Sequence, residues 1–176
     1  MNTFSDKCMW TGRKYLTLLA GFLVVVTGPL YAEDEVAAEP DTAQAAATSA
    51  PVIVVNKTPT CGCCTKWVDV LKAYGFEVEV NTVPNTRGVQ AELGVPKQLG
   101  SCHTAKVGDY FVEGHVPPEI IQQLIDEKRD DIVGIGVPGM PAGSPGMESP
   151  RAVQYDVVAY GKNGQFYKYA TISPNS

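Results

Sequence analysis

Three cysteines fall within four residues, Cys61-Gly62-Cys63-Cys64, between a β-branched run and an amphipathic stretch. Val52 to Val55 precede them and read as a strand buried on both faces. Trp67, Val68, Leu71 and Tyr74 follow at helical spacing, with Gly75 placed to end the helix. The cluster is thus expected at a helix N-terminus, where free backbone N–H groups and the helix dipole favour thiolate over thiol. Thiolate is the form that binds soft metals and attacks disulfides. A chain carrying this cluster needs a fold that supports a strand-to-helix turn.

The remaining pattern fits an α/β fold. Phe76, Val78 and Val80 alternate with polar residues as in a strand, which makes a parallel strand–helix–strand unit. Thr86 to Leu93 predicts a short helix ending at Gly94. Ala105–Val107 and Tyr110–Val112 flank Gly108-Asp109, a two-residue hairpin turn. Pro117-Pro118 opens a helix through Lys128, with Ile120, Ile121, Leu124 and Ile125 as its apolar stripe. The order β-α-β-α-β-β-α is that of a thioredoxin-like domain. Residues 137–150 form a loop rich in proline and glycine. Val153–Tyr160 and Gln165–Ile172 flank Asn163-Gly164 and predict a C-terminal β-hairpin within 153–172.

The N-terminus reads as a targeting segment. Lys7, Arg13 and Lys14 precede an uncharged run from Leu16 to Val26, and Tyr31-Ala32 offers a small residue before acidic sequence. Residues 1–32 are expected to be a secretory signal peptide cleaved near Ala32. Its apolar core is short for a membrane span. Leu30 is bulky for the −3 position, which leaves an uncleaved anchor as the competing reading. Residues 33–50 read as a flexible linker of Ala, Glu, Asp, Thr and Ser, and the folded domain as 51–176. Cleavage removes Cys8 and leaves Cys61, Cys63, Cys64 and Cys102. Export in a bacterium implies the periplasm, an oxidising compartment, and no membrane association after cleavage. The net charge of −5 over 176 residues argues against nucleic acid as a partner.

A disulfide at Cys61–Cys64 would close a very short loop and make a poor staple, so a reduced soft-metal site is the favoured reading. Counting outward from Gly108-Asp109 pairs Val107 with Tyr110 and, by extension, Cys102 with His115. His115 is therefore the better-placed ligand, and His103 should face the other way. Thiolates with imidazole suit Cu(I) or zinc. Three thiols crowded into one turn, with Cys102 and His103 adjacent, fit bridging thiolates and Cu(I) better than the spaced pairs of a zinc site. Met140 and Met147 carry soft thioethers in the 137–150 loop, but a filler or lid role is favoured over ligation.

Thr60-Cys-Gly-Cys-Cys64, Trp67-Val68, Ser101-Cys-His-Thr-Ala105, Glu113-Gly-His-Val-Pro117, Val137-Pro-Gly-Met140 and Gly143-Ser-Pro-Gly-Met147 together resemble the CopG-type periplasmic copper-resistance proteins. The resemblance spans residues 51–172. It implies a thioredoxin-like fold and copper bound by Cys61, Cys63, Cys64 and Cys102 with His103 and His115, as a cysteine-bridged cluster. It also implies redox exchange between Cu(I) and Cu(II), and other periplasmic copper-handling proteins as partners. Two other functions compete. One is a metal-free thiol–disulfide oxidoreductase using Cys61 and Cys64, against which the third thiol speaks. The other is a structural zinc module.

Overall fold

A computed structural model describes residues 51–174. The expected signal peptide and linker, residues 1–50, lie outside the described residues. The described residues form a mixed α/β fold built on one seven-stranded sheet. Its elements are β1 (Ile53–Lys57), α1 (Gly62–Tyr74), β2 (Val78–Thr82), α2 (Arg87–Glu92), β3 (His103–Val107), β4 (Tyr110–Glu113), α3 (Pro118–Glu127), β5 (Ile132–Gly136), β6 (Tyr155–Gly161) and β7 (Phe166–Ile172). The first seven follow the order expected from the sequence.

The strands lie in the order β2-β1-β3-β4-β5-β6-β7. β1 pairs with β2, and β4 with β5, in parallel, while the other pairs are antiparallel. Each parallel pair needs a crossover, and α1 and α3 supply them. The sequence reading lacked β5. This strand lies beside β4 and carries β6 and β7 into the same sheet.

β1 differs from its expected burial. Ile53 and Val55 are fully buried, but Val54 is only partly covered, so one face is packed and the other is half open. The packed face joins Trp67, Val68 and Leu71 of α1 and Ile120, Ile121 and Leu124 of α3 in the core. Their apolar stripes hold both helices against the sheet. This fixes α1 with its N-terminus, and hence the cysteines, beside the start of β3.

The β3–β4 ladder turns at Gly108-Asp109, as expected, and pairs Val107 with Tyr110 through to Thr104 with Glu113. It ends there. Gly114 has φ +73°, and a Cβ on it would lie 2.7 Å from the Val137 carbonyl oxygen. Only glycine suits both the left-handed backbone and the close approach. The kink stops the strand alternation one residue before His115.

Candidate metal centre

Cys61 is the N-cap of α1, and its Sγ accepts a hydrogen bond from the Cys64 N–H at 3.3 Å. The loop before it is tied to β3, because the Thr58 N–H donates to the Cys102 carbonyl at 3.2 Å. That tie brings Cys102 over the helix end. Its Sγ lies 3.0 Å from Cys61 Sγ and 3.2 Å from Cys64 Sγ, and Cys63 Sγ lies 3.5 Å from Cys61 Sγ. All four sulfurs fall within 4.8 Å of one another. Burial, and then the neighbouring Cys63, push the Cys102 thiol above its ordinary pKa.

Cys61 and Cys64 are joined by a disulfide, while Cys63 and Cys102 are free. This differs from the expected set of free thiols. One helical turn sets the two Cα atoms 5.3 Å apart, inside the range a disulfide spans, so the helix itself prepares the bond. The three-residue separation still makes it a weak staple.

The histidines correct another expectation. His103 does not face away from His115: their ring centroids are 5.2 Å apart and the rings are edge to face. The kink at Gly114 brings His115 round to the face that His103 occupies, and the Cys102–His115 pairing lies beyond the ladder. His103 is fully buried against the Trp67 ring. Its Nε2–H donates to the Gly114 carbonyl at 2.9 Å, and its Nδ1 is buried with no partner. His115 mirrors it: Nδ1–H donates to the Pro145 carbonyl at 2.8 Å, and Nε2 is buried with no partner. A carbonyl can only accept, so each ring has one nitrogen fixed as donor and a lone pair left on the other. Metal-binding histidines are commonly oriented this way. Neither nitrogen belongs to the four-sulfur group.

Burial lowers both imidazole pKa values, that of His103 to about 4. The folded rings stay neutral where the unfolded rings, near pH 6.5, would protonate. Stability is therefore full above pH 6.5 and falls as the pH drops toward 4, because the unfolded chain then binds protons that the folded chain refuses. The His103 contribution is about 3 kcal/mol. Urea midpoints measured from pH 7.5 to 4.5 should fall accordingly, and the fall should be smaller in His103→Phe.

The 137–150 loop is ordered around the site. Gly143 N–H donates to the Met147 carbonyl, Met147 N–H to Ser144, and Val153 N–H to Ala142. A Cβ on Gly146 would lie 2.8 Å from the Cys63 carbonyl and from the Trp67 nitrogen, so the loop rests directly on α1. Met140, 62% exposed, and Met147 line a cavity of about 370 Å³ that also borders Cys63. Met147 is half-buried, and neither methionine belongs to the hydrophobic core.

Sequence reasoning missed Glu113. It is fully buried, and burial raises its pKa. Its Oε1 accepts from the Ser101 N–H at 2.6 Å and the Gln90 amide at 2.9 Å. Gln90 and the Thr86 hydroxyl also donate to the Ser101 carbonyl. Together they brace the segment that carries Cys102. The one sequence signal was a charged residue ending the apolar run Tyr110-Phe111-Val112.

A family model described as "Protein of unknown function, DUF411" matches residues 99–147. No curated protein matches the chain. Two solved structures do, titled "Copper resistance protein copG- Form 1" and "Copper resistance protein copG- Form 2". They are 42% and 43% identical to it, each with a TM-score of 0.65, over 70% of this chain and 98% of theirs. With that identity across nearly the whole length of the two solved structures, this chain belongs to the CopG copper-resistance protein family.

Proposed function

We propose that the protein binds copper in copper homeostasis, holding Cu(I) on the thiolates of Cys61, Cys63, Cys64 and Cys102 after export to the periplasm and removal of the signal peptide. The observation that carries this reading is the convergence of four sulfurs from two distant segments within 4.8 Å. Sulfur donors are soft and suit Cu(I), and their crowding favours shared, bridging thiolates over one tetrahedral zinc. The buried, unpartnered nitrogens of His103 and His115 are borderline donors that complement this soft set. Met140 and Met147 line the cavity next to Cys63. We read the first seven elements as a thioredoxin-like domain, with β6 and β7 as a hairpin extension. That arrangement accounts for thiols at a helix N-terminus facing the start of β3. Cycling between Cu(I) and Cu(II) belongs to the same reading, as do other copper-handling proteins of the periplasm as partners.

The Cys61–Cys64 disulfide favours a second reading, a metal-free thiol–disulfide oxidoreductase. One experiment separates the two. The reduced protein is titrated anaerobically with Cu(I) against a competing chelator, and its metal-free form is assayed for insulin reduction. Binding much tighter than micromolar, lost in Cys61→Ser/Cys102→Ser, is expected. Micromolar or weaker binding that the variant leaves unchanged, together with insulin reduction abolished by Cys61→Ser alone, would establish the oxidoreductase instead.

A further inference from the structure

A second opening, which shares no lining residue with the cavity at the methionines, reaches the cluster at Cys102. It is a groove of about 670 Å³ between α2 and the 95–102 segment, and Cys102 lines it. That volume suits a ligand the size of a short peptide. Arg87 and Lys97 stand on its walls, both exposed, and among the described residues neither is in an ion pair. None of the lining residues is acidic. The carboxylate of Glu113 lies behind the wall, fully buried, with Oε1 occupied by Ser101 and Gln90. The groove is thus a cationic recess in a chain of net charge −5. The cavity at Cys63 differs: it carries Lys66 and Glu148, of opposite sign, beside the two thioethers.

We infer that this groove receives small anionic thiolate complexes of Cu(I) and passes the metal to Cys102. The inference rests on the copper-binding reading and names the substrate form and its door. Arg87 and Lys97 draw in the carboxylates of the carrier, and concave walls concentrate that field. The carrier's sulfur–copper bond breaks as the Cys102 Sγ–copper bond forms, and the Cys102 proton passes to the departing thiolate. Copper stays Cu(I), and nothing is oxidised. Because Cys102 Sγ is 3.0 Å from Cys61 Sγ, the metal arrives already beside the next sulfur.

The groove is testable without metal. In the oxidised, metal-free full chain, Cys102 is labelled with two methanethiosulfonates of similar size, one carrying a sulfonate and one a trimethylammonium, and each site is read by peptide mass spectrometry. The anionic reagent should modify Cys102 about fivefold faster, the scale expected of two exposed cations within ~10 Å. Arg87→Glu/Lys97→Glu should invert that ratio at Cys102 and leave the ratio at Cys63 unchanged. Equal rates, or a faster cationic reagent, in the unmodified protein would overturn the groove assignment. A second arm loads the reduced protein with Cu(I)–glutathione. The double variant should load about fivefold more slowly at unchanged equilibrium affinity, and an unchanged loading rate would also overturn the inference. Weak equilibrium binding in the unmodified protein would instead remove the copper reading and leave the labelling ratio standing.

Discussion

Reduction of the Cys61–Cys64 disulfide should raise Cu(I) affinity on the order of 10³-fold or more. The bond occupies two of the four converging sulfurs, and a disulfide sulfur is a poor ligand beside a thiolate. A four-ligand structural zinc site is worth about 10–16 kcal/mol, so withholding half of a comparable donor set removes several kcal/mol, and each 1.4 kcal/mol is tenfold. The measurement is a chelator competition on matched samples, one treated with a phosphine reductant that is then removed and one left oxidised. Equal affinities would mean that Cys63, Cys102 and the histidines hold the metal unaided. Cys63→Ser in the oxidised form serves as the control, since it removes one of the two free thiols.

The second large effect concerns Trp67. Its ring is fully buried, its indole N–H donates to the Val116 carbonyl at 2.8 Å, and it packs on His103 with centroids 4.6 Å apart. Trp67→Ala should cost about 3–5 kcal/mol in the reduced, metal-free protein, from lost burial and the cavity left behind. The Val116 carbonyl would also lose its partner, at about 1–3 kcal/mol if it stays buried. Folded domains hold only about 5–15 kcal/mol in reserve, so this variant approaches the limit of folding. Trp67→Phe keeps most of the apolar surface but not the hydrogen bond, and should fall between the two. Urea denaturation followed by far-ultraviolet circular dichroism reads all three proteins. A loss under 1 kcal/mol for Trp67→Ala would mean that the α1–His103 contact is not part of the cooperative core.

Much of this arrangement is legible in the chain. The β-branched run, the stripe Trp67–Val68–Leu71 and the closing Gly75 set β1 and α1, and the Gly108-Asp109 turn sets the register of β3 with β4. These signals are local, and the structure follows them. β5 was hidden because two of the five residues in Ile132-Val-Gly-Ile-Gly136 are glycines, which read as punctuation rather than strand. The orientation of His115 was hidden for a different reason. Pairing by distance from a turn assumes unbroken alternation, and Gly114 breaks it in response to the Val137 carbonyl, a contact more than twenty residues away in the chain. Glu113 was invisible because its partners, Gln90 and Ser101, come from other parts of the sequence. Loop length alone argues against the disulfide, but the helical turn places both Cα atoms for it.

The N-cap geometry also gives reduction a direction. Cys61 sits at the edge of the helix and is partly open to solvent, whereas Cys64, one turn further in, is fully buried. Cys61 is the less deeply buried of the two bonded residues, so the mixed disulfide is expected to form on it, with Cys64 departing as the leaving thiolate. Cys64 is released in the interior, with Cys102 Sγ only 3.2 Å away. The attacking molecule thus remains on Cys61, where a second thiol can remove it, while Cys64 already lies beside Cys102.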